Sequence, residues 1–291
     1  MSRALAIDLG GTNMRAGLAD AARPVEIRPV GSWPAPARRA AFQELVEGLL
    51  VAHSIKRLGI AVPGLALGTR CVWIPNLPYL DGLDLSEAFP DVSIALGNDA
   101  QFALLAEASA GAASGLSDAI LLAIGTGIGS AVLSGGRILR GARGGAASFG
   151  WASADPSDPG DDRDGWLERN ASGRALDRLA AETGLENGAA LIERARSGDG
   201  EALLSLGRAA GALGTALAGA VALLDPQKIL VSGGVAAALD VLEAPVLSAL
   251  RRQLPPHLRG ITLTSGAFGA GASLAGAGIA AFRGQNWEEV R

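Results

Sequence analysis

Residues 4–13 read Ala-Leu-Ala-Ile-Asp-Leu-Gly-Gly-Thr-Asn, and this stretch decides the fold prediction. The apolar run over 4–9 is short and continuous, which is typical of a buried strand, and Gly10-Gly11 predicts a tight turn after it. Glycines after a strand let backbone N–H groups approach an anion closely, and the Thr12 hydroxyl adds a donor. An ordinary β-turn has the same residues, so this stretch alone leaves both interpretations open.

The same pattern opens the second half of the chain. A predicted strand over 119–124 is followed by Gly125-Thr126-Gly127-Ile128-Gly129 and by another strand over 130–133. A third turn, Ser232-Gly233-Gly234, lies between a predicted strand and a helix and could let a flat nucleoside lie against the backbone. None of the three turns has the Gly-Lys-Ser/Thr ending of a P-loop or the dinucleotide pattern G-x-G-x-x-G. Two strand–glycine–threonine turns, one in each half, favour the binding of a polyphosphate.

Strands alternate with helical patterns along the whole chain, which predicts an α/β protein. Helical patterns cover residues 37–52, 100–113, 166–182, 188–196, 200–224, 236–252 and 269–282. Two successive strand–strand–helix groups each start with an apolar strand that ends in a glycine turn. They predict two related lobes with a cleft between them, and we place the boundary after Ser117.

The composition limits the partners and cofactors. A formal net charge of -4 gives no general attraction to nucleic acid or to anionic lipid. Cys71 is the only cysteine, which excludes an internal disulfide and a zinc site built on several thiolates, and we interpret it as a small buried apolar residue. The longest apolar stretch, 213–224, is shorter than the roughly 20 residues that span a bilayer. Because no signal-peptide pattern opens the chain, we expect a cytoplasmic protein without nucleic-acid or membrane partners.

Two aspartates stand at the ends of predicted strands. Asp99 follows the apolar run over 92–96 and precedes an alanine-rich helix. A carboxylate at this position could take the proton of an alcohol during phosphoryl transfer, or it could simply cap the helix. Asp8, just ahead of the first glycine turn, could hold Mg²⁺ through water.

Taken in order, these motifs resemble the ROK family, whose members are sugar kinases and related repressors. The resemblance covers nearly the whole chain and is carried by residues 8–15, 62–64, 76–78, 98–100, 125–129, 168–173 and 232–234. It implies an actin-like ATPase (hexokinase/Hsp70-type) fold, with two lobes around a nucleotide and sugar cleft. The lobes would be residues 1–117 and 118–268, with a C-terminal helix within 269–291 packing back on the first lobe.

The resemblance also implies a role for each motif, with Asp99 as the catalytic base. The residues that would bind ATP are Asp8, which would also hold Mg²⁺ through water, Gly10, Gly11, Thr12, Asn13, Gly125, Thr126, Gly127, Gly233 and Gly234. The residues that would contact the sugar are Asn76, Asn98, Asp99, Ser148, Trp151 and Glu168. Family kinases are commonly homodimers, and we expect the same here.

The chain departs from the family pattern in two stretches. Family kinases carry Glu-x-Gly-His after the second phosphate turn, where this chain has Ser148-Phe149-Gly150-Trp151. In the family that Glu and His bind hydroxyls near the anomeric end of the sugar, and the His also ligates a structural zinc. The three cysteines that complete the zinc site are absent from 155–165. We therefore expect no zinc and an altered anomeric-end pocket, in which Trp151 either packs in the core, the slightly favoured role, or stacks on a sugar ring.

The sequence leads to two functional hypotheses. The first is a kinase acting on the 6-hydroxyl of a hexose or N-acetylhexosamine, with a polyol or cyclitol as the alternative acceptor. The second is a catalytically weak or inactive sugar- or nucleotide-binding homologue. Intact Asp8, Asp99 and both threonine-bearing turns favour catalysis. Repressors of the family carry a DNA-binding domain ahead of the phosphate motif, and because that motif begins at Asp8 here, we expect no such domain.

Overall fold

The computed structural model describes residues 2–290 and divides into two compact units. Unit 1 comprises the chain up to Gly115, residues 136–146 and the chain from Ala270 onward, and unit 2 comprises residues 116–135 and 147–269. The sequence prediction assigned residues 136–146 to the second lobe, whereas in the structure they cluster with unit 1.

The helices and strands follow one another in the alternation that the sequence predicts. The strands are β1 (Arg3–Leu9), β2 (Asn13–Asp20), β3 (Arg23–Pro34), β4 (Arg57–Val62), β5 (Leu65–Leu67), β6 (Arg70–Trp73), β7 (Ser93–Asn98), β8 (Ala119–Ile124), β9 (Ile128–Ser134), β10 (Arg137–Ile138), β11 (Lys228–Ser232) and β12 (Leu263–Ser265). The α-helices are α1 (Arg39–His53), α2 (Leu85–Ala88), α3 (Asp99–Ala110), α4 (Trp166–Ala171), α5 (Gly173–Glu182), α6 (Gly188–Arg196), α7 (Gly200–Leu224), α8 (Leu239–Arg252) and α9 (Ala272–Arg283).

The main sheet of unit 1 has the strand order β3-β2-β1-β4-β7. Strand β1 is antiparallel to β2 and parallel to β4, and β4 is parallel to β7. The parallel strands are continuous apolar runs because they are buried on both faces. Helix α9 packs closely on β4, since a Cβ at Gly59 would lie 1.9 Å from the carbonyl oxygen of Ala277. Because β1 and β7 run in the same direction, Asp8 and Asp99 come to the same edge of this sheet.

The sheet of unit 2 contains the strands β9-β8-β11-β12 in that order. Strands β8, β11 and β12 are mutually parallel, and β9 returns antiparallel to β8 through residues 125–127. The second and third glycine turns therefore follow the carboxyl ends of adjacent parallel strands, β8 and β11. This is the edge at which open α/β sheets bind their ligands.

Helix α7 is the only helix within residues 2–290 that is long and apolar enough to cross a membrane. It has 25 residues, so the predicted shortfall in length does not hold for the whole helix. Half of its most apolar window is buried inside the protein, where α7 packs against α4, α6 and α8. Core helices of folded domains have this same combination of length and burial, so α7 is weak support for a membrane span.

Two local features differ from the sequence prediction. The single helix predicted over 166–182 is broken at Ser172, whose hydroxyl accepts the backbone N–H of Ala175 at 3.3 Å and caps α5. Serine competes with the backbone for hydrogen bonds and is favoured at helix N-termini, which explains the break at Ser172. The second difference is the short β5–β6 hairpin, which has no counterpart in the prediction.

Candidate functional site

Asp8 lies at the end of β1 and is held by two side chains that the sequence analysis did not single out. Arg15 on β2 donates to the Asp8 carboxylate from Nε at 3.1 Å and from Nη2 at 2.5 Å, and it also donates to the carbonyl oxygen of Ala270 at 2.7 Å. The hydroxyl of Ser273 on α9 donates to the other Asp8 oxygen at 2.9 Å. The Asp8 carboxylate is thus fixed in orientation, with 13% of its side chain exposed.

The first glycine turn is stabilised by its own backbone and leaves its surface open. The N–H of Gly10 donates to the carbonyl oxygen of Asn13 at 2.8 Å, and residues 11–13 are exposed. A Cβ at Gly11 would lie 3.0 Å from the Cβ of Asn76, which is also exposed. The structure therefore brings Asn76, a predicted sugar contact, directly against the predicted phosphate turn. This close packing favours glycine at position 11 whether or not a phosphate binds there.

Asn98, rather than Asp99, is the N-cap of α3. Its Oδ1 accepts the N–H of Ala100 at 2.9 Å, and Gln101 completes a capping box by accepting the N–H of Asn98 at 3.2 Å. The Asn98 Nδ2 donates to the carbonyl oxygen of Gly64 at 3.1 Å. Asn98 thus has a structural role at the position predicted to contact sugar. Asp99 shares the capping contact, since its Oδ1 also accepts the N–H of Ala100, at 2.7 Å.

Asp99 is the first residue of α3, half-buried at the edge of the sheet that also carries Asp8. Burial raises the pKa of the Asp99 carboxyl to about 6, and the negative charge of Asp8 adds to the rise, against a hydrogen bond from the N–H of Ala100. A carboxyl with a pKa near 6 is ionised at neutral pH yet more basic than an ordinary aspartate. Such a group suits the acceptance of a proton from an alcohol.

We expect the Asp99→Asn variant to be more stable than the wild type at pH 8. The folded-state pKa of about 6 lies above the roughly 3.9 of an unfolded chain, so the ionised carboxylate is disfavoured by folding. The wild type therefore loses stability relative to the variant as the pH rises from about 4 to 6, and the difference then stays constant. Because Asp99 is partly exposed, we expect about 1–2 kcal/mol at pH 8 and nearly none at pH 4. Thermal unfolding at both pH values measures this, and equal melting temperatures at pH 8 would contradict it.

The second glycine turn lies directly against Glu168. The N–H of Ile128 donates to Glu168 Oε2 at 3.1 Å, and a Cβ at Gly127 would lie 2.8 Å from Glu168 Oε1. The carbonyl oxygen of Gly125 accepts the N–H of Gly173 at 2.7 Å, whereas a Cβ at Gly125 would meet nothing within 4 Å. A side chain at position 127 would collide with Glu168, a predicted sugar contact, whereas a side chain at position 125 would point into open space.

The stretch from Ser148 to Trp151 forms a 3-10 turn beside this carboxylate. A Cβ at Gly150 would lie 3.4 Å from Glu168 Oε2, and a Cβ at Gly165 would lie 2.4 Å from the Cα of Trp151. Ser148 is exposed, and the Trp151 side chain is 45% exposed. The sequence analysis favoured core packing for Trp151, and this prediction is wrong because nearly half of the side chain is exposed. The exposed ring is available to a ligand.

The third glycine turn contains one glycine that the fold requires and one that it does not. Gly233 has φ +81°, and a Cβ there would lie 2.5 Å from the carbonyl oxygen of Ile124. Gly234 has an ordinary backbone conformation and nothing within 4 Å of its Cβ position. Of the two predicted nucleotide contacts, only Gly234 keeps an open face for a ligand.

Loop 155–165, where the family zinc site would lie, is held by ion pairs. Arg169 donates to both oxygens of Asp158, at 2.7 Å and 3.2 Å, and Asp161 accepts the backbone N–H groups of residues 163 and 164. No cluster of three or more His, Cys, Asp or Glu side chains suited to a metal occurs within residues 2–290. Burial raises the pKa of the Cys71 thiol to about 12, so this side chain is a protonated, buried thiol.

We expect purified, tag-free protein to contain far less than one zinc ion per chain. The bidentate ion pair between Arg169 and Asp158 holds the loop in place, so the loop does not need a metal ion for this purpose. Elemental analysis after chelator-free purification measures the metal content. One tightly bound zinc per chain would show that our interpretation of this loop is wrong.

Comparison with known proteins places this architecture in a family. The two parallel-centred sheets with glycine turns at their carboxyl edges have the actin-like ATPase fold. The sequence matches the ROK family over residues 4–283, and the chain belongs to that family.

Similarity to individual proteins extends over most of the chain. An N-acetylmannosamine kinase of Escherichia fergusonii is 33% identical over 243 residues, which are 79% of this chain and 82% of the relative. A ROK hexokinase from Thermus thermophilus is 30% identical, with a TM-score of 0.76 and coverage of 97% of this chain and 98% of the other. A ROK glucokinase from Streptomyces griseus, solved with glucose and AMPPNP, is 26% identical, with a TM-score of 0.79 and coverage of 97% and 100%.

Proposed function

We propose that this chain transfers the γ-phosphoryl group of ATP to the 6-hydroxyl of a hexose or N-acetylhexosamine, with Asp99 as the base. The observation that carries the proposal is that Asp99, whose pKa is near 6, lies at the same carboxyl edge of one sheet as Asp8, with β4 between their two strands. A phosphoryl-transfer site needs alignment, charge neutralisation and one carboxylate for the alcohol proton, and little further covalent chemistry.

At the coarser level the chain is a sugar kinase of the ROK family. Its family match extends over residues 4–283, and the relatives that it resembles at 33% identity are N-acetylmannosamine kinases. The glucokinase solved with AMPPNP supports ATP as the phosphoryl donor. The particular sugar, the phosphorylated position and the residue roles are the parts that we propose.

In the proposed reaction the sugar 6-oxygen attacks the γ-phosphorus of ATP. One oxygen–phosphorus bond forms, the bond to the ADP oxygen breaks, and the hydroxyl proton passes to Asp99. We assign phosphate binding to the backbone of residues 10–13 in unit 1 and 125–127 in unit 2, and nucleoside contact to Gly234, with Gly233 shaping the turn. Asn76 and Glu168 are assigned to sugar hydroxyls, while Asn98 holds the start of α3 and with it the position of Asp99.

Asp8 suits a magnesium ion held through water. Each of its oxygens accepts hydrogen bonds from Arg15 or Ser273 and keeps lone-pair capacity, whereas magnesium prefers one or two carboxylates together with phosphate oxygens and water. When bound, the ion would neutralise charge on the ATP phosphates. The proposal also includes a homodimer, which rests on the family resemblance, and a cytoplasmic location, which rests on the sequence pattern.

The pocket residues favour a substituted sugar over plain glucose. Ser148 is a neutral partner where the family has a carboxylate, and hydrogen bonds to charged groups contribute about 1.5–3 kcal/mol against roughly 1 for neutral pairs. The difference of about 0.5–2 kcal/mol corresponds to about twofold to thirtyfold in affinity for the anomeric end. The half-exposed Trp151 ring supplies an apolar face that suits an N-acetyl group.

We therefore expect kcat/KM to be at least tenfold higher for an N-acetylhexosamine than for glucose, with N-acetylmannosamine tested first. Steady-state kinetics over hexoses, N-acetylhexosamines, polyols and cyclitols measures this. A Trp151→Ala variant should reduce the preference by lowering kcat/KM for the acetylated sugar selectively. Glucose as the best substrate, with a sub-millimolar KM, would refute this account of the pocket. A preferred cyclitol would select the alternative acceptor class.

A further inference from the structure

Arg174, in the first turn of α5, joins two carboxylates that lie on different segments of unit 2. Its Nη2 donates to Glu168 Oε1 at 2.6 Å and to Asp164 Oδ1 at 2.8 Å. Glu168 lies on α4, whereas Asp164 is the last residue but one of loop 155–165. One guanidinium nitrogen therefore connects this loop to the carboxylate that we assign to the sugar.

The two oxygens of Glu168 are held from two directions. Oε2 accepts the N–H of Ile128 in the second glycine turn, and Oε1 accepts Arg174. The backbone of α5 is fastened to the same turn, since the N–H of Gly173 donates to the carbonyl oxygen of Gly125 at 2.7 Å. A carboxylate offers about four lone-pair sites, so two remain for sugar hydroxyls after these contacts.

We propose that Arg174 is a positioning residue that fixes the orientation of Glu168 on the second glycine turn and fastens loop 155–165 to it. This inference rests on the proposed function, in which Glu168 binds the sugar. Arg174 does not need to touch the substrate for this role. Replacing Arg174 would remove the hydrogen bonds to both carboxylates, so that the Glu168 side chain could rotate and Asp164 would no longer be tied to it.

The exposure of these groups indicates where the effect would be measured. The side chains of Arg174, Glu168 and Asp164 are 47%, 20% and 37% exposed. Partly exposed ion pairs contribute little to global stability, so removing Arg174 should leave the melting temperature almost unchanged. Sugar binding is more sensitive, because productive binding needs the carboxylate in one orientation.

The test compares Arg174→Gln with Arg208→Gln. Arg208 forms an ion pair with Glu182 at 2.6 Å elsewhere in unit 2, and its side chain is 62% exposed, so it is a matched control. We expect Arg174→Gln to raise KM for the preferred sugar about tenfold, with kcat within about threefold and KM for ATP within about twofold of wild type. Arg174→Lys should restore most of the sugar affinity, since one ammonium group can donate to both carboxylates.

A second measurement is independent of catalysis. Hydrogen exchange of a peptide covering residues 158–165 measures the protection of the backbone amides of Arg163 and Asp164. Both amides donate to Asp161 Oδ1, at 2.7 Å and 2.9 Å. We expect faster exchange in Arg174→Gln and wild-type exchange in Arg208→Gln. Wild-type exchange in Arg174→Gln, or an unchanged sugar KM, overturns the proposal while leaving the kinase function intact. A folded wild type without kinase activity refutes the proposed function, and the exchange result then decides whether Arg174 fastens the loop.

Discussion

Replacing Asp99 by Asn is expected to lower kcat by about a hundredfold or more while sugar and ATP still bind. General-base catalysis contributes about 10²–10⁴ to rate, and asparagine cannot accept the hydroxyl proton. The substitution is nearly isosteric, and the Asn oxygen can still accept the N–H of Ala100, so α3 should begin unchanged. Single-turnover assays with saturating ATP and sugar isolate the chemical step.

The pH profile of the wild type supplies an independent check on the same residue. Because the base must be ionised, kcat/KM should fall as the pH drops through about 6. Asp91→Asn, which changes an exposed carboxylate just before β7, is the matched control and should keep full activity. A fully active Asp99→Asn protein would contradict the assignment of the base.

Replacing Gly125 by Val is expected to abolish measurable ATP binding while the protein stays folded and retains its sugar affinity. The protein has nothing within 4 Å of a Cβ at this position, so any penalty arises from the ligand that approaches the turn. Close approach of backbone N–H groups to phosphate does not tolerate a branched side chain. Calorimetric titration with a non-hydrolysable ATP analogue measures the loss, with Gly260→Val as a control at another open glycine of unit 2. Unchanged affinity for the analogue would exclude residues 125–127 as a phosphate site.

Gly127 is the less informative position for this test. A side chain there would collide with the Glu168 carboxylate, so Gly127→Val should weaken sugar binding as well as any phosphate contact. The sequence pattern gives the two glycines equivalent roles. The structure separates them, because only one faces the helix that carries Glu168.

Local chain signals were sufficient to predict where the strands before the first two glycine turns end. An apolar run that stops at glycine predicted the ends of β1 and β8, and parallel pairing then brought Asp8 and Asp99 to one edge. The fold class followed from the alternation of elements and is confirmed by the structures that the chain resembles. Signals of this kind depend only on neighbouring residues, which explains their success.

Contacts between distant residues were not predictable in the same way. Ser273 and Arg174 stand outside every motif, and Arg15 ends the first motif without a predicted role. Only the folded chain brings these side chains to the carboxylates that they hold. The exposure of Trp151 likewise depends on how residues 148–151 pack against Gly165, which no periodicity reports. The sequence held one hint of the role of Arg174. This arginine directly follows the signature 168–173 and stands six residues after the Glu168 carboxylate.

Product identification tests the central claim most directly. Purified protein is incubated with ATP, Mg²⁺ and each of a panel of hexoses, N-acetylhexosamines, polyols and cyclitols, and the phosphorylated product is characterised by phosphorus and proton NMR. We predict a sugar 6-phosphate formed in equal amount to ADP, with an N-acetylhexosamine giving the highest rate and the Asp99→Asn protein giving almost none. Folded protein that forms no phosphorylated product from any member of the panel would contradict the account.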